Sequence, residues 1–300
     1  MKNRLMRSLA VTALMSVARM ALADTYTPID FPGAVATDLG AINELGVMVG
    51  TYTDGTGASH GFKFDGDTFT AFDYPGAIST AASSINSRGD VAGFFLDAAN
   101  QWHGFVLSDG GFFVQDYPGA TTGTFTLGIG ANGTLVGEFK TGQVFGQLGF
   151  AWILRDGQYM QLTPPDCSGA PPPHPVQAFA LSINPRGDVV GRLIDAAGRQ
   201  CAWRLDKHGE YTILQVAGAS ITNAKGINQS GEVVGVYRLG VNHGFVLGPK
   251  DTTSFITIDF PGASATRAQG INARGDIVGT YALSGPQGTG RGFLLERDVR

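Results

Sequence analysis

The sequence predicts an all-β protein with the architecture of a six-bladed β-propeller. Steps of the form [VA]-G recur at six glycines separated by 43, 44, 54, 44 and 44 residues, a period typical of units of four short strands. After the first 23 residues, no window places apolar residues at helical spacing without a Gly or Pro that interrupts it. The first and last segments of the repeat also complement each other, as a closed ring requires. The glycines are Gly50, Gly93, Gly137, Gly191, Gly235 and Gly279.

Residues 1–23 predict a secretory signal peptide. A basic start is followed by an apolar run from Leu9 to Val17 and by the small-x-small site Ala21-Leu22-Ala23. This run of about nine residues is too short to span a bilayer, and no later segment is apolar for long enough. We therefore expect an exported chain, periplasmic or extracellular, with no transmembrane segment and a single propeller domain over residues 24–300.

The charge balance excludes one class of partner. The chain has a net charge of −4, and removal of the predicted signal would take away four basic residues and make it more acidic. Because a nucleic-acid-binding protein needs a clustered basic face, we expect no nucleic acid partner. Charged residues are only 15% of the chain and 44 residues are Gly, which suits tight turns between buried strands.

Each copy of the repeat predicts four strands, named D, A, B and C in chain order, and Phe255–Tyr281 is the clearest example of the first three. Strand D precedes Pro-Gly-Ala, where Pro fixes one φ and Gly supplies the positive φ of a type II turn. Strand A ends at Ile-Asn, and the Asn-x-x-Gly that follows predicts a type I turn with Gly in the left-handed position. Val-Val-Gly-x-Tyr is strand B, and His-Gly-Phe belongs to strand C.

The two ends of the repeat are complementary fragments of one unit. The chain after residue 23 begins at strand D, Tyr26–Phe31, and finishes with strand C, Gly292–Glu296. In a closed ring the first strand would complete the last blade and remove an open edge. An open β-solenoid is the alternative, and it would leave both fragments incomplete.

The repeated blocks [FY]-P-G-A, G-I-N-x-x-G-x-[IV]-V-G and H-G-F resemble the HAF-repeat family of bacterial extracellular proteins. The resemblance covers nearly the whole chain after residue 23. This chain departs from it at Gly61, Gly104 and Gly244, where the family has Ala, and the third and fourth copies lack the His. The resemblance implies an exported, propeller-like repeat protein, and it implies no reaction.

Repeated polar residues predict pairs at the open end of each C–D hairpin, where the His of strand C lies opposite the Asp of strand D. Where a copy has Leu148 or Cys201 in place of the His, it lacks the Asp as well. Because each pair lies in a different blade, we interpret the pairs as structural rather than as a metal or acid–base site. They are His60–Asp73, His103–Asp116, His243–Asp259 and, across the ring closure, Arg291–Asp30.

Three short motifs match known signatures without the required context. Gly57–Gly61 matches the G-x-S-x-G nucleophile elbow, but that motif needs a strand-to-helix turn. Gly128–Gly133 matches the dinucleotide fingerprint, but no helix follows to hold a pyrophosphate. Arg-Gly-Asp occurs at 88–90, 186–188 and 274–276, always in the Asn-x-x-Gly turn, so turn chemistry accounts for it without adhesion. With no metal or cofactor motif, we expect neither group.

The D–A and B–C connections emerge at one end of the ring, here named the loop face, and the irregular features of the sequence lie there. One of them is a Pro-rich insertion at 164–175. Two cysteines in an exported protein are usually paired, so we predict a disulfide between Cys167 of the insertion and Cys201 of strand C.

Variable loops on a rigid scaffold are where binding residues concentrate, so we place the candidate site on the loop face. Trp102 lies just before His103 on a predicted B–C loop. Its indole is there either a platform for a sugar ring or another flat apolar ligand, or an anchor that holds the loop. Glu138 and Arg192 follow the motif glycine where other copies have uncharged residues. The candidate binding residues are Asp38, Trp102, Glu138, Asp166, His174 and Arg192.

Three functions remain open at this point. The first is a binding or scaffold module for an extracellular glycan or protein, because nothing assembles a nucleophile, a base and an orienting group. The alternative is a glycan hydrolase or lyase at the channel mouth, which would bring two acids together on the loop face. A structural surface component is the third. Convergence of Asp38, Glu138, Asp166 and Arg192 in one pocket is the feature that would distinguish them.

Overall fold

A computed structural model describes residues 24–142, 148–170, 177–284 and 290–298. The predicted signal peptide lies outside the described residues. Over these ranges the chain forms β-strands, turns and loops, and no helix is long and apolar enough to cross a membrane.

In the part of the chain that the structure describes, twenty-four strands form six four-stranded blades, and the strands of each blade pair antiparallel. Blade 1 contains β2 (Ala36–Ile42), β3 (Met48–Thr53), β4 (Ser59–Phe64) and β5 (Phe69–Phe72); blade 2 contains β6 (Ser79–Ile85), β7 (Val91–Leu96), β8 (Trp102–Ser108) and β9 (Gly111–Val114); blade 3 contains β10 (Gly123–Ile129), β11 (Leu135–Thr141), β12 (Leu148–Arg155) and β13 (Gln158–Leu162). Blade 4 contains β14 (Gln177–Ile183), β15 (Val189–Ile194), β16 (Gln200–Leu205) and β17 (Tyr211–Leu214); blade 5 contains β18 (Ile221–Ile227), β19 (Val233–Leu239), β20 (Val241–Leu247) and β21 (Ile256–Ile258); blade 6 contains β22 (Ala265–Ile271), β23 (Ile277–Ala282), β24 (Arg291–Glu296) and β1 (Thr25–Ile29).

The blades form a closed ring, because the inner strands of successive blades pack on one another and β22 of blade 6 packs on β2 of blade 1. The first strand completes the last blade: β1 pairs with β24 from Thr25 opposite Glu296 to Ile29 opposite Gly292. Tyr26 anchors this strand in the core through ring contacts with Phe260 and Phe293. The predicted six-bladed propeller is confirmed, and the open solenoid is wrong.

The motif glycine of each blade allows an aromatic side chain to pack over strand B. A Cβ at Gly50 would lie 2.1 Å from the carbonyl oxygen of Asp38 and 3.0 Å from the ring of Phe62. The other five motif glycines meet a carbonyl at 1.9–2.1 Å and an aromatic ring in the same way. The six rings, all fully buried, belong to Phe62, Phe105, Trp152, Trp203, Phe245 and Phe293.

Asparagine side chains join neighbouring blades at the end of the channel opposite the loop face. Asn43 holds its own turn by accepting from the backbone N–H groups of Leu45 and Val47, both at 3.0 Å. Its amide also donates to the carbonyl of Asn86 in the next blade at 3.1 Å. The same inter-blade bond is made by Asn86, Asn184, Asn228 and Asn272, and the last of these closes the ring onto Asn43.

Candidate functional site

A β-bulge in the inner strand of every blade positions the residues that line the channel. In β2 the pairing with β3 shifts register between Leu39 and Ala41, and the other five inner strands shift at the corresponding place. Such a bulge redirects the side chain of the extra residue. The six extra residues line one cavity of about 280 Å³, here named the channel mouth. They are Gly40, Ser83, Leu127, Leu181, Lys225 and Gln269.

The channel mouth lies toward the loop face and has two unlike walls. Its remaining lining comes from residues in or paired with the first half of the inner strands, such as Asp38 and Thr51. The apolar wall, from blades 2 to 4, contains Phe94, Leu127 and Leu181. The polar wall, from blades 1, 5 and 6, contains Asp38, Lys225 and Gln269. At the opposite end of the channel the cavity between the Ile-Asn steps is only about 80 Å³.

Asp38 lies at the centre of a polar cluster on the polar wall. Gln269 donates a hydrogen bond from Nε2 to Oδ1 of Asp38. The side chain of Asp38 is accessible from the cavity, but desolvation by the surrounding inner strands raises its pKa, although the charges of Lys225 and Arg267 act against this. With the Asn242 amide oriented to satisfy both its groups, its oxygen accepts from Nε of Arg267 at 3.2 Å and from Nη2 at 3.0 Å. The cluster therefore joins blades 1, 5 and 6.

Lys225 is surrounded by more positive than negative charge. Burial is the largest effect on its ammonium group, Arg192 and Arg267 add to that effect, and Asp38 opposes it. Together they lower the pKa of Lys225 to about 8. A perturbed ionisable group with identified charge partners inside a cavity is a candidate functional residue.

Glu138 and Arg192 form a second cluster beside the first, with Glu138 only 6% exposed. Lys140 Nζ lies 3.4 Å from Oε1 of Glu138, yet this oxygen makes no hydrogen bond with any described residue. Burial raises the pKa of Glu138, and the charges of Lys140 and Arg192 oppose the rise. The Arg192 guanidinium lies 3.7 Å from the centroid of the Phe179 ring. Because Arg192 also acts on Lys225, the two clusters are electrostatically coupled.

Trp102 was expected on a B–C loop, and the structure places it in a strand instead. Trp102 is the first residue of β8 and is half-buried. Its ring centroid lies 5.5 Å from those of both Phe94 and Phe125. Gly123 of the next blade leaves room for it, since a Cβ there would lie 2.8 Å from the Trp102 Cβ. The indole therefore packs against Phe94, a residue of the apolar wall.

Asp166 does not belong to the channel mouth. Its Oδ1 accepts hydrogen bonds within its own turn, from Ser168 Oγ at 2.6 Å, Ser168 N at 2.8 Å and Ala170 N at 3.1 Å. These bonds lower the pKa of Asp166, and Arg199 Nη2 lies 4.0 Å away. His174 lies outside the described residues. The expected convergence is therefore partial: Asp38 lines the channel mouth, Glu138 and Arg192 lie beside it, and Asp166 lies apart.

The structure contains all four predicted ion pairs at the ends of the C–D hairpins. It also places a second carboxylate against two of the histidines: Asp54 and Asp97 lie 3.3 Å from Nε2 of His60 and His103 respectively. The pKa of His60 is raised, chiefly by its hydrogen bond with Asp73. Burial lowers the pKa of His103, but the hydrogen bonds and charges of Asp116 and Asp97 outweigh burial and raise it. The distances are 2.9 Å for His60–Asp73, 2.8 Å for His103–Asp116, 2.8 Å for His243–Asp259 and 2.9 Å for Arg291–Asp30.

The Arg-Gly-Asp sequences are part of the turns, because each arginine pairs with the aspartate two residues later. The distances are 2.8 Å for Arg88–Asp90, 3.0 Å for Arg186–Asp188 and 2.7 Å for Arg274–Asp276. Asp90 is 9% exposed and also accepts from Asn86 Nδ2 at 2.9 Å and Ser108 Oγ at 2.6 Å. A carboxylate bound in this way is not presented for adhesion.

The predicted disulfide between Cys167 and Cys201 is present, with the two Cα atoms 5.8 Å apart. It ties the insertion to β16 of the same blade. Of the residues with defined positions, no group of three or more His, Cys, Asp or Glu is placed to hold a metal ion.

Sequence reasoning missed Lys225, Gln269 and Arg267 of the polar wall and its surroundings, and Phe94 of the apolar wall. A signal for the first two exists in the repeat. The residue two positions before the invariant Ile of strand A is Gly, Ser, Leu, Leu, Lys and Gln in the six copies, whereas the Ile itself is constant. A position that varies within an otherwise constant strand indicates that its side chain serves a site rather than the fold.

The ring of six four-stranded blades defines the chain as a β-propeller, and solved structures show the same fold. It resembles virginiamycin B lyase from Staphylococcus aureus at 11% identity and a TM-score of 0.54, covering 91% of this chain and 99% of that one. The fucose-specific lectin from Aleuria aurantia has 12% identity and a TM-score of 0.50, again covering 91% and 99%. Trypanosoma rangeli sialidase has 9% identity and a TM-score of 0.53, covering 92% of this chain and 60% of that one.

At these identities the likenesses show the fold alone. No family model and no curated protein matches the chain. The resemblance to the HAF-repeat family therefore stays a prediction.

Proposed function

We propose that this protein is an exported glycan-binding β-propeller and that the glycan enters the channel mouth from the loop face. The observation that carries the proposal is the cavity itself, in which an apolar wall of Phe94, Leu127 and Leu181 faces a polar wall of Asp38, Lys225 and Gln269. A sugar ring has the same division, because its C–H face is apolar and its hydroxyl groups donate and accept hydrogen bonds. Ligand sites combine an apolar lining with a few placed polar groups in this way.

The size of the cavity favours a sugar over a protein partner. Its volume of about 280 Å³ is near the lower end of ligand pockets, about 300 Å³, whereas a protein partner needs roughly 800 Å² of surface on each side. The same fold is found in a fucose-specific lectin and a sialidase, so it accommodates proteins that act on carbohydrate. The disulfide Cys167–Cys201 supports export, since disulfides persist in oxidising compartments. The kinship with the HAF-repeat family is proposed on the repeat motifs alone.

Binding fits the geometry better than glycoside hydrolysis does. A hydrolase needs two carboxyl groups about 5–9.5 Å apart on either side of one bond. Asp38 lines the channel mouth, but Glu138 is not among the described residues that line it and is buried beside Lys140 instead. The two acids are therefore not a pair across one substrate.

The proposal is tested by blocking the channel mouth without changing its charge. Ser83→Trp would fill the cavity from blade 2, and Ser87→Trp is the matched control on an exposed turn at the other end of the channel. We expect the wild-type protein and the Ser87 variant to bind the same members of a panel of bacterial surface polysaccharides. The Ser83 variant should bind none while melting like the wild type. Equal binding by both folded variants would contradict this location.

A further inference from the structure

The positive charge around the polar wall needs an explanation that the propeller does not provide. Lys225 lines the channel mouth, and the charges of Arg192 and Arg267 lower its pKa. Asp38 is the carboxylate that acts on Lys225, and it is also bound by Gln269. Glu138 acts on Arg192 but is itself beside Lys140, so the cations still outnumber the two carboxylates. A like-charged group in a confined place destabilises the fold unless something neutralises it.

We infer that the ligand is an acidic sugar whose carboxylate is bound by Lys225, with Arg192 and Arg267 contributing to the field, and whose hydroxyl groups are bound by Asp38 and Gln269. The inference rests on the proposed function, because it names the class of sugar that the same cavity would take. A carboxylate would supply the missing negative charge in a partly buried site, where charge-assisted hydrogen bonds are about twice as strong as neutral ones.

Asp38 explains why the ligand should be a sugar acid rather than a simple anion. A small anion has only acceptor atoms, so it would be repelled by the Asp38 carboxylate while it approached Lys225. A hexuronate carries its carboxylate and several hydroxyl donors on one ring, so it can satisfy the cation and the carboxylate together. The apolar wall of Phe94, Leu127 and Leu181 would cover the C–H face of the same ring.

The residues of the polar and apolar walls come from successive blades around the channel. Gln269 and Lys225 come from adjacent blades 6 and 5, and Leu181 and Leu127 follow in blades 4 and 3. Asp38 completes the polar side from blade 1. The charged end of a hexuronate would therefore point toward blades 5 and 6, and its less polar face toward blades 3 and 4.

The test compares sugars that differ only in charge. Calorimetric titrations at pH 7 and low salt would use D-glucuronate and D-galacturonate, their neutral parents D-glucose and D-galactose, and acetate as a carboxylate without a ring. We expect at least one uronate to bind tenfold or more tightly than its neutral parent and than acetate. In Lys225→Met the preference over the neutral parent should fall below threefold. Lys207→Met, an exposed lysine remote from the channel mouth, should keep the full preference.

Asp38→Asn provides a second variant with a different expectation. Removal of this carboxylate should improve acetate binding and reduce the preference for uronate over acetate, because the repulsion of simple anions is lost. Equal binding of uronates and neutral parents by the wild type, or a preference that survives Lys225→Met, would overturn the inference. In that case the proposed function still stands if the wild type binds a neutral glycan that the Ser83→Trp variant does not bind. If no sugar and no polysaccharide binds, both fall.

Discussion

Replacement of Lys225 by methionine should stabilise the folded protein at neutral pH, because it removes a cation that the channel holds next to two others. The pKa of Lys225 falls from the usual 10.5 to about 8, with burial as the main cause and Arg192 and Arg267 as further causes. Each unit corresponds to about 1.4 kcal/mol, so the protonated side chain costs the folded state about 3 kcal/mol below pH 8. Since the Lys225 side chain is only partly buried, solvent screens its charge, and we expect a measured gain of about 2 kcal/mol.

The pH dependence of this gain has a definite sign. Between about pH 8 and 10.5 the unfolded chain keeps the Lys225 proton and the folded chain has lost it. The unfolded state then binds more protons, so the wild type gains stability from this group as pH rises. The advantage of the methionine variant should therefore be largest at pH 7 and shrink toward pH 10.

Urea unfolding followed by tryptophan fluorescence at pH 7, 8, 9 and 10 would measure the difference between the wild type and Lys225→Met. Lys207→Met, which removes an exposed lysine, controls for the general loss of positive charge. A difference that does not change with pH, or a methionine variant that is less stable at pH 7, would refute the account of the channel mouth as a strained cationic site. A binding role for Lys225 would explain why the protein keeps a residue that destabilises its folded state.

Three further predictions concern the scaffold. Gly50→Ala should lower the free energy of unfolding by about 3 kcal/mol, because its Cβ would lie 2.1 Å from a carbonyl oxygen of the neighbouring strand. Gly55→Ala is the control, and it should change the free energy little because no described atom lies within 4 Å of its Cβ. Equal effects of the two substitutions in urea unfolding would contradict this. In a double-mutant cycle, Asp30→Asn and Arg291→Gln should show a coupling of about 0.5 kcal/mol, and strict additivity would remove the pair from the ring closure. The carboxylates beside His60 raise its pKa above 6.5, so its stabilising contribution should be complete below pH 6.5 and lost as pH rises through the folded pKa; an NMR titration of the ring with a normal or lowered pKa would be inconsistent with it.

The parts of the fold that depend on local backbone geometry could be predicted from the sequence. The glycine of each Pro-Gly-Ala and Asn-x-x-Gly turn was expected at positive φ, and Gly33 at 78° and Gly46 at 85° show this conformation. The six motif glycines gave the number of blades, and the complementary end segments gave the closure that β1 and β24 make. Within the C–D hairpins, the joint loss of His and Asp in two copies was enough to predict the pairs.

The candidate site was decided by the tertiary structure. Gln269 and Asp38 are 231 residues apart, and only closure of the ring brings their side chains into hydrogen-bonding contact. Trp102 is covered by Phe125 because the next blade has Gly123 beside it, a contact that no local pattern reports. The sequence by itself determined the blades, the turns and the order in which they close, since these follow from φ preferences and period-two pairing. Only the closed ring decided which bulge residues face one cavity and how burial and neighbouring charges shift the pKa of Lys225, because both depend on what six distant strands place around one axis.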